Sequence, residues 1–241
     1  MSLNLNSGYW QAQVSNMPFT TGRVFVVADS NNANANDIDA LYQNQYDGTI
    51  TRHSTIASAM DSVVANRDDI ILVAPWHTET FTAQLDIDVA GVSVIGLGNG
   101  QLRPTLTING AIDWVDISAA NTRFENFIFA APETDAQTAA INVDAAGVTV
   151  KNVKITGSQT AKNIVDCITI TANADDLVLE DITILNTTVA INSGISIEWA
   201  ADNVIFQPEV KFFSDFIFWI FVPYMRLACF QWKLSKVRTY N

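Results

Sequence analysis

The hexapeptide Gly147-Val148-Thr149-Val150-Lys151-Asn152 decides the fold of this chain because it recurs in pattern four more times. Upstream stand Gly91-Val92-Ser93-Val94-Ile95-Gly96 and Asn121-Thr122-Arg123-Phe124-Glu125-Asn126. Downstream stand Asp176-Leu177-Val178-Leu179-Glu180-Asp181 and Asn203-Val204-Ile205-Phe206-Gln207-Pro208. Gly, Asn and Asp tolerate the left-handed backbone conformation. Between them apolar residues recur at period two, the strand signature. Consecutive copies lie 30, 26, 29 and 27 residues apart. Short strands and sharp turns at that period specify a solenoid whose coils stack and share one core.

Each copy extends both ways. Before the first turn run Leu85-Asp86-Ile87-Asp88-Val89, Val115-Asp116-Ile117, Ile141-Asn142-Val143, Ile168-Thr169-Ile170 and Ile195-Ser196-Ile197. After the second turn run Phe127-Ile128-Phe129, Val153-Lys154-Ile155 and Ile182-Thr183-Ile184, while the first copy continues as Leu97-Gly98-Asn99-Gly100. Three strands per coil make an all-β, single-stranded parallel β-helix over residues 70–206. Asn126, Asn152 and Asp181 are expected to form a structural turn ladder at the strand spacing of about 4.8 Å. Val94, Phe124, Val150 and Leu179 are expected to stack inside. Val150→Asp should then be severely disruptive, and the outward Lys151→Glu nearly silent. Residues 130–140 and 157–166 read as loops on one face.

Ahead of the coils, residues 1–22 are polar and Asn-rich, and read as an extended or docking arm. The region of residues 23–69 holds a strand, Gly22-Arg23-Val24-Phe25-Val26-Val27-Ala28-Asp29, a loop from Asn31 to Asp37, and a helix near residues 55–65. Ser54 or Thr55 caps that helix, with Ile56, Met60, Val63 and Val64 on one stripe. A solenoid end exposes core side chains, so this helix is the expected N-terminal cap. Ile70-Ile71-Leu72-Val73-Ala74 then reads as a buried strand.

The chain is acidic, with 13 Lys plus Arg against 25 Asp plus Glu, which argues against nucleic acid as a partner. Cys167 and Cys229 fall in dissimilar segments and give no disulfide framework. No charged n-region followed by an apolar run opens the sequence, so synthesis in a host cytoplasm is the expectation.

The runs Val24-Phe25-Val26-Val27-Ala28-Asp29, Ser54-Thr55-Ile56-Ala57-Ser58-Ala59 and Ile70 through Thr80 resemble the opening of right-handed parallel β-helix proteins. The continuation Asp88 through Gly100, with Arg103-Pro104-Thr105, is similar to phage-encoded, tailspike-like members. The resemblance spans residues 22–206. It implies a right-handed coil and a virion or tail-associated protein, often a trimer, whose partners are other virion proteins. The family includes polysaccharide depolymerases and inert structural proteins alike. Polygalacturonase-like members carry an Asn-Thr-Asp motif, a downstream Asp-Asp and a Gly-His; this chain has only Asp175-Asp176. The Arg and calcium-carboxylate set of pectate lyases is also missing from the sequence. The reading is therefore a non-enzymatic virion protein without cofactor. The alternative is a carbohydrate-binding or polysaccharide-degrading spike.

For that alternative the candidates are Asp88 and Asp116 as catalytic carboxylates, with Trp114 as a sugar-binding face. With Leu85, Ile87, Val89, Val115 and Ile117 pointing in, Asp86 and Asp88 are expected to point out on one coil, and Trp114 and Asp116 on the next. Carboxylates on neighbouring coils sit near the separation of retaining glycosidases, about 5–5.5 Å. The bland reading of the same residues is a solvated acidic face. His77 and Glu79 are two ligand types where zinc asks for three or four, so no metal is expected. Cys167 reads as a packing thiol, since no His follows it in the chain. Asp68-Asp69 and Asp175-Asp176 read as turn residues.

Past Pro208 the composition changes. Residues 207–241 carry ten of the 24 aromatics and five basic against two acidic residues. Proline holds φ near −65° and cannot take the left-handed turn. A membrane span, a packed cap or interchain segment, and a tail that is no evolved continuation all fit this stretch. The ordered helix is expected to stop near Phe206.

Overall fold

Each hexapeptide forms one short strand between two corners. In the computed structural model, which describes residues 22–29, 52–108, 113–130, 137–156, 164–185, 191–197, 204–206 and 211–213, the strands build three parallel sheets. Sheet A holds the central residues of the hexapeptides in the order Ile205–Phe206, Val178–Glu180, Thr149–Lys151, Arg123–Glu125, Ser93–Gly96, Ile70–Val73, Val24–Val27, Arg52–His53. Sheet B runs Lys211–Phe213, Thr183–Leu185, Lys154–Thr156, Ile128–Ala130, Thr105–Ile108, Thr78–Phe81. Sheet C runs Ile191–Ile197, Ile164–Ile170, Gln137–Val143, Val115–Ile117, Leu85–Ile87. The fold is a parallel β-solenoid with very little helix, as the sequence predicts.

The first corner is a column of left-handed residues. Gly91, Asn121, Gly147 and Asp176 have φ of 75°, 56°, 70° and 55°. Asn66, at φ 56°, joins them one coil earlier. Their N–H groups bind the next coil: Asn66 to Ala90 O at 2.8 Å, Gly91 to Ala120 O at 3.0 Å, Gly147 to Asp175 O at 2.8 Å. At the second corner Asn126, Asn152 and Asp181 are left-handed, at 72°, 50° and 53°. Gly96 is not. Glycine is needed there for room, because a Cβ would lie 2.3 Å from the Asn126 carbonyl oxygen and 2.9 Å from Pro104 Cδ. The first copy takes its sharp turn later, at Gly98 and Gly100, and passes through a single 3-10 turn, Gly100–Leu102.

Trp76 also occupies the second corner. Its N–H donates to Leu102 O at 2.9 Å, as Asn126 N–H does to Lys151 O. Thr105 N–H binds His77 O and Ile128 N–H binds Pro104 O, so Trp76, Arg103 and Asn126 fall in one column. Trp76 is left-handed, with φ 58°, and 55 % exposed. A bulky residue in that conformation is an outlier.

Inside, Ile71, Val94, Phe124, Val150 and Leu179 pair in register and are fully buried. Each such side chain contributes about 1.5–3 kcal/mol of burial. Phe124 and Phe127 stack with ring centroids 4.4 Å apart.

Several expectations need correction. The cap helix, α1, spans only Ile56–Met60, with Thr55 as N-cap and its Oγ1 accepting from Ser58 N–H at 3.1 Å. The chain tightens after it through Ser62 N–H to Ala59 O and Val63 N–H to Met60 O. Val64 N–H is then drawn to Asp69 Oδ2 at 2.8 Å, which leaves the Val64 side chain exposed rather than on the buried stripe. Sheet A begins before residue 70, since Val24–Val27 pairs with Ile70–Val73 on one side and Arg52–His53 on the other. Residues 137–140 and 164–166 are strand, not loop, extending two strands of sheet C to seven residues each. The sheets also run past Phe206, because Lys211–Phe213 pairs with Thr183–Leu185. The arm at 1–21, Asn203, Pro208 and the aromatic tail from 214 lie outside the described residues. Among the described residues no helix is long and apolar enough to cross a membrane.

Candidate functional site on the outward face of sheet C

The outward positions of sheet C form a column across the coils. Asp86 pairs with Asp116, Asp116 with Asn142, and Asn142 with Thr169. Asn142 Nδ2 donates to Asp116 Oδ1 at 2.7 Å, and Gln84 Nε2 donates to Asp86 Oδ1 at 3.0 Å. One residue past the end of its strand, Asp144 accepts from Thr171 Oγ1 and from Asn173 Nδ2, the latter at 2.8 Å. Carboxylates on one coil are thus held by neutral donors of the next.

Burial pushes the Asp116 carboxyl above the usual carboxylate range. The Asn142 bond opposes that rise, and the nearby Asp86, Asp144 and Asp113 add to it. The site therefore carries one carboxyl with a raised affinity for protons beside others on the same face.

The acidic residue in register with Asp116 is Asp86, on a neighbouring strand whose backbone lies about 4.8 Å away. Asp88, expected in that role, lies just beyond the strand. Trp114 does not present a face to solvent. It is 0 % exposed and stacks on Phe129 with centroids 5.3 Å apart. Trp114 and Val115 are both buried, so alternation fails at this corner and Trp114 turns inward. Among the described residues its Nε1 has no hydrogen-bond partner. On the next coils Ala140 and Cys167, also fully buried, occupy the corresponding place before Ile141 and Ile168. Cys167 is a packing thiol whose pKa burial raises, the opposite of an activated nucleophile.

His77 and Glu79 serve the cap. His77 Nε2 lies 3.2 Å from Glu79 Oε2, which also accepts from Ile56 N–H at 3.0 Å, at the first turn of α1. Among the described residues no group of three or more His, Cys, Asp or Glu is placed to hold a metal ion. His53 is half-buried against Phe25, and burial lowers its pKa against the pull of Asp61.

Asp69 is the residue sequence reasoning undervalued. Its side chain is fully buried and accepts from Arg23 N–H at 2.7 Å, Val64 N–H at 2.8 Å and the Arg67 guanidinium at 2.7 and 2.6 Å. It ties the first strand to the cap. Nothing local in Asp68-Asp69 signals this, because Arg23 lies 46 residues away.

A scan of protein-family models finds no match to this chain, and searches of curated proteins and of solved structures likewise find none, so the site is read from its own geometry.

Proposed function

We propose that the chain is a non-enzymatic structural solenoid of a phage virion, a head decoration or tail-associated element that residues 1–22 dock to the particle. The observation that carries the structural half of this reading is the bracing of the outward carboxylates. Asp116 is held by Asn142, and Asp144 by Thr171 and Asn173, each from the adjacent coil. Such bonds link neighbouring coils and partly offset the cost of crowding carboxylates on one face, a surface built for stacking rather than for a substrate. The virion context rests on the resemblance of residues 22–206, which also implies a homo-oligomer, in many cases a trimer. Immunogold labelling of phage particles from the host lysate, with antibody to the purified chain, tests it. Label on heads or tails is expected; antigen found only free of particles overturns the reading.

A second reading is favoured by one specific feature, the raised pKa of Asp116 beside Asp86. Two acidic residues in register on neighbouring strands, one with raised pKa, support a pair of the kind retaining glycosidases use. Incubation with capsular and lipopolysaccharide panels separates the two. Release of reducing ends that disappears in Asp116→Asn and in Asp86→Asn would establish the enzyme.

A further inference from the structure

Among the described residues, Arg52–His53 is the outermost strand of sheet A at its N-terminal end. It pairs with Val24–Val27 over two positions, Val26 with Arg52 and Val27 with His53. Residues paired across neighbouring strands share a face of the sheet. Val27 belongs to the main core, while Val26 and Leu72 belong to a separate apolar cluster on the outer side. His53 therefore faces the end of the core, and Arg52 the outer side. The imidazole lies against Phe25, with ring centroids 5.9 Å apart and planes tilted by 55°. A titratable ring thus stands at the end of an apolar column.

The hold on this strand is short, and short pairings at a sheet edge open first. The His53 carbonyl accepts from Ala28 N–H at 2.9 Å, just past the end of Val24–Val27. The following helix, α1, has anchors of its own. Ile56, Ala59 and Met60 are buried in the main core, and Glu79 Oε2 accepts from Ile56 N–H at 3.0 Å.

Asp61, at the C-cap of α1, is the charged group that acts on the His53 ring, and it favours protonation. Glu79 is occupied by Ile56 N–H and His77 at the first turn of the helix. Arg52 is turned to the outer side, and Asp29 is exposed beyond the end of Val24–Val27. Burial opposes the charged ring and outweighs Asp61, so the pKa lies below its ordinary value of 6.5.

We propose that Arg52–His53 is an acid-released latch: protonation of His53 detaches it from Val24–Val27 and opens the outer edge of that strand, while α1 and the later coils stay folded. The sign follows from linkage. The detached ring takes up a proton more readily than the docked one. Docking is therefore complete above the ordinary histidine value and weakens as pH falls toward the lower docked value. Ala28 N–H and its neighbours then present an unpaired edge, to which another strand adds.

Hydrogen exchange in the full chain tests this, with each rate divided by that of the unstructured amide at the same pH. Between pH 7.5 and pH 5.5 the protection of Ala28 N–H should fall about threefold or more. Ala74 N–H, bonded to Val27 O at 2.8 Å on the other side of the same strand, should stay level. His53→Phe keeps a ring against Phe25 and cannot titrate, so its Ala28 protection should not change with pH. If that variant misfolds, His53→Gln is read in its place: protection starts lower and is again independent of pH. A fall that persists without the imidazole would place the trigger elsewhere and overturn the proposal. An equal fall at Ala74 would mean that the whole N-terminal end opens, and unchanged protection of Ala28 in the native chain that nothing opens; either sinks the latch.

Discussion

Asn152 donates a hydrogen bond from Nδ2 to Oδ1 of Asn126, one coil away, at 2.6 Å. The amide chain continues from Asn126 Nδ2 to Gly96 O at 2.6 Å and to Gly98 O at 2.9 Å. At its other end Arg103 Nη1 donates to Asn152 O and Oδ1 at 2.8 and 3.1 Å. The corner thus needs two properties at once, a left-handed backbone and a side chain that both donates and accepts.

Substitutions at Asn126 separate these properties. Asn126→Gly keeps the backbone conformation but leaves buried carbonyls without a donor, at a cost of about 1–3 kcal/mol. Asn126→Asp keeps shape and backbone yet points a carboxylate at two carbonyl oxygens. It should cost more than glycine at pH 7 and recover in acid, where the protonated acid donates again. Urea unfolding at pH 7 and pH 4 checks both. Equal stability of the two variants at pH 7 would show that the side-chain ladder contributes little.

Trp76 occupies the same column with the wrong chemistry for it. At φ 58° a tryptophan carries about 1–2 kcal/mol of strain, and at 55 % exposure it gains modest burial in return. Trp76→Gly or Trp76→Asn should therefore raise the urea midpoint, an unusual outcome for removal of a large aromatic. A lowered midpoint would mean that contacts of the indole outweigh the backbone strain.

Asp69 makes the stability of the N-terminal end depend on pH. Burial opposes its charge, but the Arg67 bond and the Arg23 and Val64 N–H groups more than offset that and hold its pKa below the usual carboxylate range. A depressed folded pKa contributes stability that is complete above the unfolded value, about 3.9, and is lost as pH falls through the folded one. Asp69→Asn removes the charge and should cost on the order of 3 kcal/mol at pH 7. Acid-unfolding curves of the two proteins should converge at low pH. Parallel curves down to the lowest pH would assign the loss to shape rather than to charge.

What was legible in the sequence is what repeats. The Gly, Asn and Asp pairs and the alternating valines between them locate both corners and the inward column through Val150, because every coil restates the same constraint. Features made by one coil alone escape that reading. Trp114 turns inward where alternation breaks for a single residue, so the sugar-facing role assigned to it fails on burial. The outward apolar face at Val26 and Leu72 reads as part of a continuous apolar run until the sheet shows which side each residue takes. Asp69 looks like a turn residue because Arg23, the partner that ties it to the first strand, lies 46 residues away.

Lys151 shows how a surface position can matter through register. It lies between Glu125 and Glu180 on neighbouring strands, and its Nζ is 2.8 Å from Glu180 Oε1. The Glu180 bond and the charges of Glu180 and Glu125 hold its pKa above the ordinary value. Lys151→Glu would stack three carboxylates in register, so the change is not the silent one its outward direction suggests. Directly opposed like charges destabilise a sheet by a few tenths to about 1 kcal/mol. The melting temperature should fall at low ionic strength and recover in 1 M salt, where screening shortens to about 3 Å. A fall that salt leaves unchanged would trace to packing of the lysine stem instead.

Asp116 is expected to be the opposite case to Asp69, a charge the fold tolerates at a cost. Burial raises its pKa first, with Asp86, Asp144 and Asp113 adding to the rise and Asn142 opposing it. Between the unfolded value and the raised folded one the native state holds more protons than the unfolded chain, so stability falls as pH rises through that window. Asp116→Asn should remove this dependence. Its melting temperature should exceed that of the native chain at pH 7 and approach it near pH 4. If the substitution instead lowers the melting temperature at pH 7, the bond from Asn142 outweighs the repulsion. The carboxylate would then be a net stabilising link between coils, and its description as a charge held at a cost would be wrong.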